Sequence, residues 1–409
     1  MESNKASRPH WILGIVLVLA GCGPIGGGAP DVSLLGGWQQ EFLGTDPDVV
    51  FYPDSNVNYW TYRLNRSRVG NDVGIKIQGA YPQVRYMGIN VYDDVYDDES
   101  LSPVGSLVDV SVDPDPGSVN PFLQEEWPDY YPANYYTVYV VPEGTVVPGA
   151  TNVIEYGADL QAISIFLRYY LPGIDARGGF PLPTLSAFDT QTGEPVDLPR
   201  IGRKPLDARV LLQAYLQQIA VDYAAGIIEP WFSLNAGNRL LAYRTSGAGL
   251  YPNNDNLYLT IPITKAPDEV AVLRFKPPSF PRRNGEIGQT DVRYWSISLG
   301  DRETFNHWTL FDDEAKVDDD GFVRIVIGPP TPEVMAKAGP HNFIPWEIGE
   351  QGVLLYRNLL TRAGFAGGIS RVPELGDGGI KRLFAADLYI GEYAPSGALL
   401  SVSEFLDSE

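Results

Sequence analysis

Short segments in which apolar and polar residues alternate recur along most of the chain. They are rich in Val, Ile, Tyr and Thr and are bounded by Pro, Gly, Asn or Asp, as in Tyr136–Pro142, Val270–Phe275 and Tyr294–Asp301. Alternation with a period of two puts successive side chains on opposite faces of a strand, so the pattern predicts sheets with one buried face. We therefore expect a mainly β fold.

The strand-like segments occur twice in the same order. Val84–Asp93 and Val292–Asp301 both begin with Val-Arg-Tyr and end with Asp, and an Asn-apolar-Ile segment follows in each half. Such self-similarity predicts two related units, and we expect an antiparallel β-sandwich or jelly-roll-like architecture for each. The equivalent positions are Arg85 with Arg293, Asp93 with Asp301, and Asn152 with Asn342.

One segment between the halves has a helical pattern instead. Apolar residues between Pro205 and Ala225 recur every three or four positions and form a single stripe, which predicts a connecting helix. The stretch 173–204 is dense in Pro and Gly. We therefore predict a first unit over residues 38–172, a linker with one helix over 173–230, and a second unit over 231–409.

The only cysteine of the chain follows a short apolar run. Lys5 and Arg8 precede Trp11–Leu19, and the run ends in Leu19-Ala20-Gly21-Cys22. The run is too short to span a bilayer as a permanent helix, and small residues before the thiol admit a signal peptidase. We predict a lipoprotein signal peptide over residues 1–21 and an acyl anchor on Cys22; a buried cysteine behind an uncleaved anchor is the alternative.

The expected mature chain starts with a tether and lies in the cell envelope. Gly23–Pro30 is rich in Gly and Pro, so we predict a flexible tether over residues 22–37. Gly rather than Asp follows the cysteine, which resembles the outer-membrane lipoproteins of Gram-negative cells. The formal net charge of −21 disfavours nucleic acid and anionic lipid headgroups as partners. We expect membrane contact only through the acyl anchor, and no nucleic-acid partner.

Residues suited to metal binding or nucleophilic catalysis are sparse. His307 and His341 are the only histidines beyond residue 10, their spacing fits no metal site, and no Gly-x-Ser-x-Gly motif occurs. We expect no metal and no cofactor, and we interpret each histidine as a surface residue or a loop residue with its hydrogen bonds satisfied.

Two acidic clusters have the composition of calcium ligands or of carboxylates that share a proton. They are Asp93–Glu99 and Asp312–Asp320. In the second cluster, Lys316 stands where the first ligand of a calcium loop belongs, and Ile327 stands where its bidentate acid belongs. We favour solvated turn carboxylates, with Asp319-Asp320-Gly321 as a hairpin turn, and leave calcium binding open.

Arg85 and Arg293 are charged residues at the start of apolar strands. A buried guanidinium needs a carboxylate or carbonyl partner, and Asp93 and Asp301 are the candidates within each half. We interpret these residues as buried ion pairs that lock each sandwich; a ligand contact is the alternative.

The first half contains an insertion, Asp94–Tyr135, that the second half lacks. Its aromatic residues and carboxylates form the predicted ligand site: Glu125, Glu126, Trp127, Asp129, Tyr130 and Tyr131. Aromatic faces stack on sugar rings while carboxylates bind hydroxyls, so we predict that a saccharide or another small polar ligand binds here. One alternative is that the aromatic residues only cap the sandwich. Another is a glycosidase-like hydrolase in which Glu125, Glu126 or Asp129 serve as acid and base.

These segments resemble two families of unknown function. Tyr135–Leu160 is similar to domain-of-unknown-function family 1254, and Tyr294–Asp301, Val317–Pro329 and Asn342–Leu360 are similar to family 1214. The resemblance covers most of Asn56–Leu360. It implies a two-part β architecture and an envelope or periplasmic location, and no settled reaction.

Overall fold

The structure is a computed structural model. It describes residues 35–46, 53–66, 70, 72–93, 103–126, 133–198, 237–244, 252–301, 305–374 and 383–408. Several predictions concern residues outside these ranges: Cys22, the connecting helix Pro205–Ala225, and Trp127, Asp129, Tyr130 and Tyr131 of the insertion.

Two five-stranded sheets form the first unit. One has the strand order β1 (Gln40–Leu43), β2 (Val57–Asn65), β8 (Ala162–Tyr170), β4 (Tyr86–Asp93) and β5 (Pro103–Val108). The other has the order β10 (Pro195–Val196), β9 (Thr184–Asp189), β3 (Val73–Ala80), β6 (Tyr135–Pro142) and β7 (Val153–Tyr156). Neighbouring strands are antiparallel, except that β6 and β7 are parallel.

The second unit also has two sheets. One has the order β11 (Arg239–Leu240), β19 (Ser396–Ser401), β13 (Glu269–Phe275), β16 (Val323–Gly328) and β17 (Asn342–Pro345). The other has the order β12 (Asn256–Thr264), β18 (Gln351–Leu359), β14 (Tyr294–Asp301) and β15 (Asn306–Phe311). The α-helices of the described residues are short: α1 (Pro332–Ala338), α2 (Asp387–Ile390) and α3 (Val402–Asp407). No helix in the described ranges is long and apolar enough to cross a membrane.

Each unit has its own hydrophobic core between its two sheets. In the first unit, Ile75 and Ile77 of β3 face inward against Trp60 of β2, while Gln78 of β3 is exposed. The core of the second unit includes residues from both of its sheets in the same way, such as Leu273 and Trp295. The alternation seen in the sequence therefore buries one face of each strand, as expected.

Four strands of each sheet follow the same order in the two units. The order β12, β18, β14, β15 corresponds to β2, β8, β4, β5, and the order β19, β13, β16, β17 corresponds to β9, β3, β6, β7. The predicted mainly β fold of two sandwich-like units is confirmed, although one sheet of each unit is mixed rather than wholly antiparallel. The pattern did not predict the parallel pair in each unit, because alternation defines which face is buried and carries no information on strand direction.

The structure corrects two predicted boundaries. Leu35 lies in the predicted tether, yet it is buried in the first core with Trp38, so the ordered body begins earlier than residue 38. The stretch 173–230 was predicted as linker, but β9 and β10 come from it, and β9 pairs with β3. Its Pro and Gly residues mark a turn before a further strand: Gly178 and Gly179 have positive φ angles.

Candidate functional site

The outer faces of two sheets meet where the units contact each other. We call this contact the junction; its buried apolar centre contains Val57, Tyr86, Tyr170, Tyr294 and Leu359. Tyr170 makes edge-to-face contacts with Tyr86 at 5.0 Å and with Tyr294 at 5.5 Å between ring centroids. The described residues of the two units therefore share one aromatic cluster.

Tyrosine hydroxyls reach across the junction in both directions. Tyr86 of the first unit donates to Asp255 at 2.6 Å, and Tyr294 of the second unit donates to Asp54 at 2.9 Å. Burial, followed by the nearby carboxylate, raises the pKa of both tyrosines well above the ordinary value, so both hydroxyls stay protonated. Burial also raises the pKa of Asp255.

Two ion pairs cross the junction with the same reciprocity. Arg85 of the first unit binds Asp312 and Asp313, and Arg293 of the second unit donates to Asp109 at 3.1 Å. Each arginine contacts the aspartate that is equivalent to the partner of the other arginine. Such exchanged contacts are typical of an interface with twofold symmetry. The junction is built from equivalent positions of the two units.

Each interfacial aspartate is also held by its own unit. Asp109 accepts from the backbone amide of Met87 at 2.8 Å, and Asp312 accepts from the amide of Trp295 at 3.1 Å. Burial raises the pKa of Asp109, and it raises the pKa of Asp312 to about 6; the facing arginines oppose these shifts without cancelling them.

The predicted ion pairs within each half are therefore wrong. Arg85 and Asp93 lie at opposite ends of one strand, as do Arg293 and Asp301, and about 3.3 Å per residue separates each pair by roughly 25 Å. Asp301 lies 2.6 Å from the Nε2 atom of His307 instead. The arginines are indeed paired, but with carboxylates of the other unit.

Sequence reasoning missed a second pair of arginines at the junction. Arg168 of β8 and Arg357 of β18 are both 3% exposed, and they stack on Tyr59 and Tyr258 respectively. Arg168 donates to Asn90 and Arg357 to Ser298, which occupy matching places on β4 and β14. The available signal was a single charged residue inside each of two apolar strands.

Asn152 and Asn342 make the same contacts in their own units. The Asn342 side chain accepts from the Lys316 amide at 2.8 Å and donates to the carbonyls of Lys316 and Arg324 at 2.9 Å. Asn152 does the same with the amide and carbonyl of Asp113 and the carbonyl of Thr137. Each asparagine therefore hydrogen-bonds both to an earlier loop and to the neighbouring parallel strand, which is β6 in the first unit and β16 in the second.

The described part of the insertion lies against the second unit. The amide of Gly285 donates to the Glu125 carbonyl at 2.8 Å, and Asn284 donates to the Pro121 carbonyl at 2.9 Å. The Glu126 carboxylate lies 3.9 Å from Nη1 of Arg283. We call this surface the seam and define it by five exposed residues: Glu125, Glu126, Arg282, Arg283 and Asp313.

The seam contains side chains of both charges, and both units contribute to it. Arg282 donates to Asp313 at 2.6 Å, and Asp313 also binds Arg85. The ring of Phe280 lies 4.5 Å from the Arg282 guanidinium and 5.2 Å from that of Arg85. Of the six predicted ligand residues, the structure places Glu125 and Glu126 here; the others lie outside the described ranges.

The other candidate groups have structural partners, and Asp312, predicted as a solvated turn carboxylate, is instead buried in its ion pair with Arg85. His341 lies between Asp318 at 2.9 Å and Arg324 at 3.1 Å, so both ring nitrogens are engaged. Gly321 has φ of 81° in the predicted hairpin turn, which is confirmed. Within the described ranges, no group of three or more His, Cys, Asp or Glu side chains has an arrangement that could hold a metal ion.

No protein-family model and no curated protein matches this sequence. The crystal structure of an uncharacterised protein from Burkholderia cenocepacia is similar, with a TM-score of 0.53 and 13% identity over 91% of this chain and 84% of that chain. The VPA0106 protein from Vibrio parahaemolyticus aligns with a TM-score of 0.42 and 10% identity over 84% of this chain and 89% of that chain. The first likeness shows a shared fold alone, and the resemblance to families 1254 and 1214 stays a prediction.

Proposed function

We propose that this protein is a lipid-anchored protein of the bacterial cell envelope whose folded body binds a polar ligand, such as a saccharide, at the seam. The motif that ends in Cys22 supports the anchor, because acylation requires a thiol and the chain has no other. Leu35 belongs to the first core, so at most about a dozen residues lie between the folded body and the proposed lipid.

The arrangement of the seam is the observation that carries the ligand proposal. Glu126 and Arg283 are exposed side chains of opposite charge on different units, and the backbone hydrogen bond from Gly285 to Glu125 holds them in register. Guanidinium groups donate to sugar hydroxyls and carboxylates accept from them. Trp127 lies outside the described ranges but follows Glu126 directly in the sequence, so we include it in the proposal as the aromatic residue for stacking on a sugar ring.

The equivalence of the two units supports an internal duplication, which we include in the proposal. Strand order, the two asparagines and the reciprocal ion pairs all agree with it. If the units arose by duplication, we infer that the features both units share serve the fold. The segment between β5 and β6 is longer than its counterpart between β15 and β16, so the seam is where a function specific to this chain belongs.

The two described carboxylates of the hydrolase alternative do not favour it, and the third, Asp129, lies outside the described ranges. Glu125 and Glu126 are both exposed, and the Glu126 carboxylate faces the guanidinium of Arg283. They are also neighbours in the chain rather than a pair that faces across a cleft, as glycosidase carboxylates do.

The experiment uses the soluble chain from residue 23 onward and a glycan panel read by thermal shift. Arg283→Ala and Trp127→Ala should each weaken binding of any hit at least tenfold, while Arg274→Ala should leave it unchanged. Arg274 is a matched control because it is an exposed arginine paired with a carboxylate, Asp320, away from the seam. Absence of any hit, or equal affinity in all three variants, would remove the proposal.

A further inference from the structure

Two polar side chains face each other inside the apolar core of the second unit. Trp295 of β14 and Asn358 of β18 are direct cross-strand partners, and each residue is 1% exposed. Trp295 lies on the same face of β14 as Ile297, and Asn358 lies on the same face of β18 as Tyr356; Ile297 and Tyr356 both belong to the core. The indole and the amide therefore point into the core, next to each other.

These two side chains carry hydrogen-bonding atoms that have no partner among the described residues. The atoms are Nε1 of Trp295 and both Oδ1 and Nδ2 of Asn358. Burial raises the pKa of Tyr356, and the nearby Asn358 amide opposes this rise without cancelling it, so a tyrosine hydroxyl lies beside the same atoms. Buried donors and acceptors nearly always have a partner, because an unmade hydrogen bond costs the full desolvation of the group. A further group that binds to both side chains would remove this cost.

The surrounding aromatic rings leave space only for a small molecule. The ring centroid of Trp295 lies 5.4 Å from that of Phe275 and 6.3 Å from that of Tyr356, and the centroids of Phe275 and Tyr356 are 5.2 Å apart. Rings at such distances contact each other, so no further ring fits between them. The bound group has to accept from the indole N–H and donate to the amide oxygen of Asn358. Water does both, and buried waters bind to polar groups of this kind.

The equivalent positions of the first unit lack this polar pair. Met87 of β4 and Tyr169 of β8 are the cross-strand partners there. The Met87 side chain has no N–H or O–H group, and the Tyr169 ring packs edge-on against Trp60 at 5.0 Å between centroids. The pair is therefore a feature of the second unit and not of the fold that the two units share.

We propose that the core of the second unit binds a single water molecule, which accepts a hydrogen bond from Nε1 of Trp295 and donates one to Oδ1 of Asn358. The backbone amide of Trp295 donates to Asp312, which binds Arg85 of the first unit. The water therefore holds the side chain of the residue whose backbone orients an aspartate of the junction. The site contains no group of the seam, so it does not depend on the proposed ligand.

Nuclear magnetic resonance of the soluble chain, isotope-labelled at tryptophan, detects such a water directly. A water bound to the Trp295 indole stays longer than a surface water, so it gives a nuclear Overhauser cross-peak between the water signal and the Nε1 proton. Trp38 is the internal control, because it is also buried but its Nε1 donates to the Pro183 carbonyl at 2.8 Å. We expect the cross-peak for Trp295 and none for Trp38. Trp295→Phe assigns the signal.

A variant of the second partner tests whether the water bridges both side chains. Asn358→Leu removes the amide and keeps a side chain of similar size, so the water loses a partner and the Trp295 cross-peak should fall to background. Asn238→Leu is the matched control, since Asn238 is exposed, and should leave the cross-peak unchanged. Absence of the cross-peak in the wild type, or an equal cross-peak in Asn358→Leu, would overturn the proposal. If Asn358→Leu does not fold, the comparison of Trp295 with Trp38 in the wild type decides the matter.

Discussion

Asn342→Ala should destabilise the second unit by nearly the same amount as Asn152→Ala destabilises the first. Each side chain makes three hydrogen bonds to backbone groups, and the residues are 5% and 2% exposed. Each buried hydrogen bond contributes about 1 kcal/mol net, and water cannot easily replace the lost partner. We expect a loss of about 3 kcal/mol in the free energy of unfolding of the affected unit.

Urea titration followed by tryptophan fluorescence measures this loss, with hydrogen exchange assigning it to one unit. Asn342→Asp and Asn152→Asp are informative companions, since a carboxylate oxygen then faces two carbonyls; they should be at least as destabilising as the Ala variants. The exposed Asn238→Ala is the control and should stay within about 0.5 kcal/mol of the wild type. A loss below about 1 kcal/mol at either asparagine, or a severe loss at only one, would refute the equivalence of the two contacts.

Three further outcomes follow from the described contacts. Tyr86→Phe and Tyr294→Phe should each cost about 1 kcal/mol in urea unfolding, because each removes one hydroxyl donor from a carboxylate of the other unit; no change in either would contradict the reciprocal arrangement. Gly321→Ala should cost about 1 kcal/mol, since φ is 81° and an added Cβ meets no atom within 4 Å, so only the backbone conformation is penalised. The pKa of Asp312 is raised from 3.8 to about 6, so its contribution to stability is full below about pH 4 and is lost as the pH rises through 6. The free energy of unfolding of the wild type, measured by urea titration, should therefore rise by about 2 kcal/mol relative to Asp312→Asn between pH 7 and pH 4.

The sequence allowed the strands and their buried faces to be predicted because alternation is a local property. Tyr136, Val138 and Val140 face the core as their spacing indicated. The hairpin turn at Gly321 was equally accessible, since Asp-Gly favours a positive φ angle.

The partners of the buried charges could not be predicted in the same way. Arg85 and Arg293 were recognised as charges that need a partner, but their carboxylates lie on the other unit, and no local pattern encodes which surfaces of two sandwiches meet. Arg168 and Arg357 escaped notice for a related reason. Their strands are covered on both faces, so an arginine there is buried by the neighbouring unit rather than by its own sheet.

The lipid anchor is the central functional claim, and labelling of Cys22 tests it most directly. Cells that express the full chain or Cys22→Ser are grown with radiolabelled palmitate, and the protein is isolated and sized. We predict label and processing in the wild type, and an unlabelled, full-length precursor in the variant. Equal label in both proteins, or no label in either, would contradict the account.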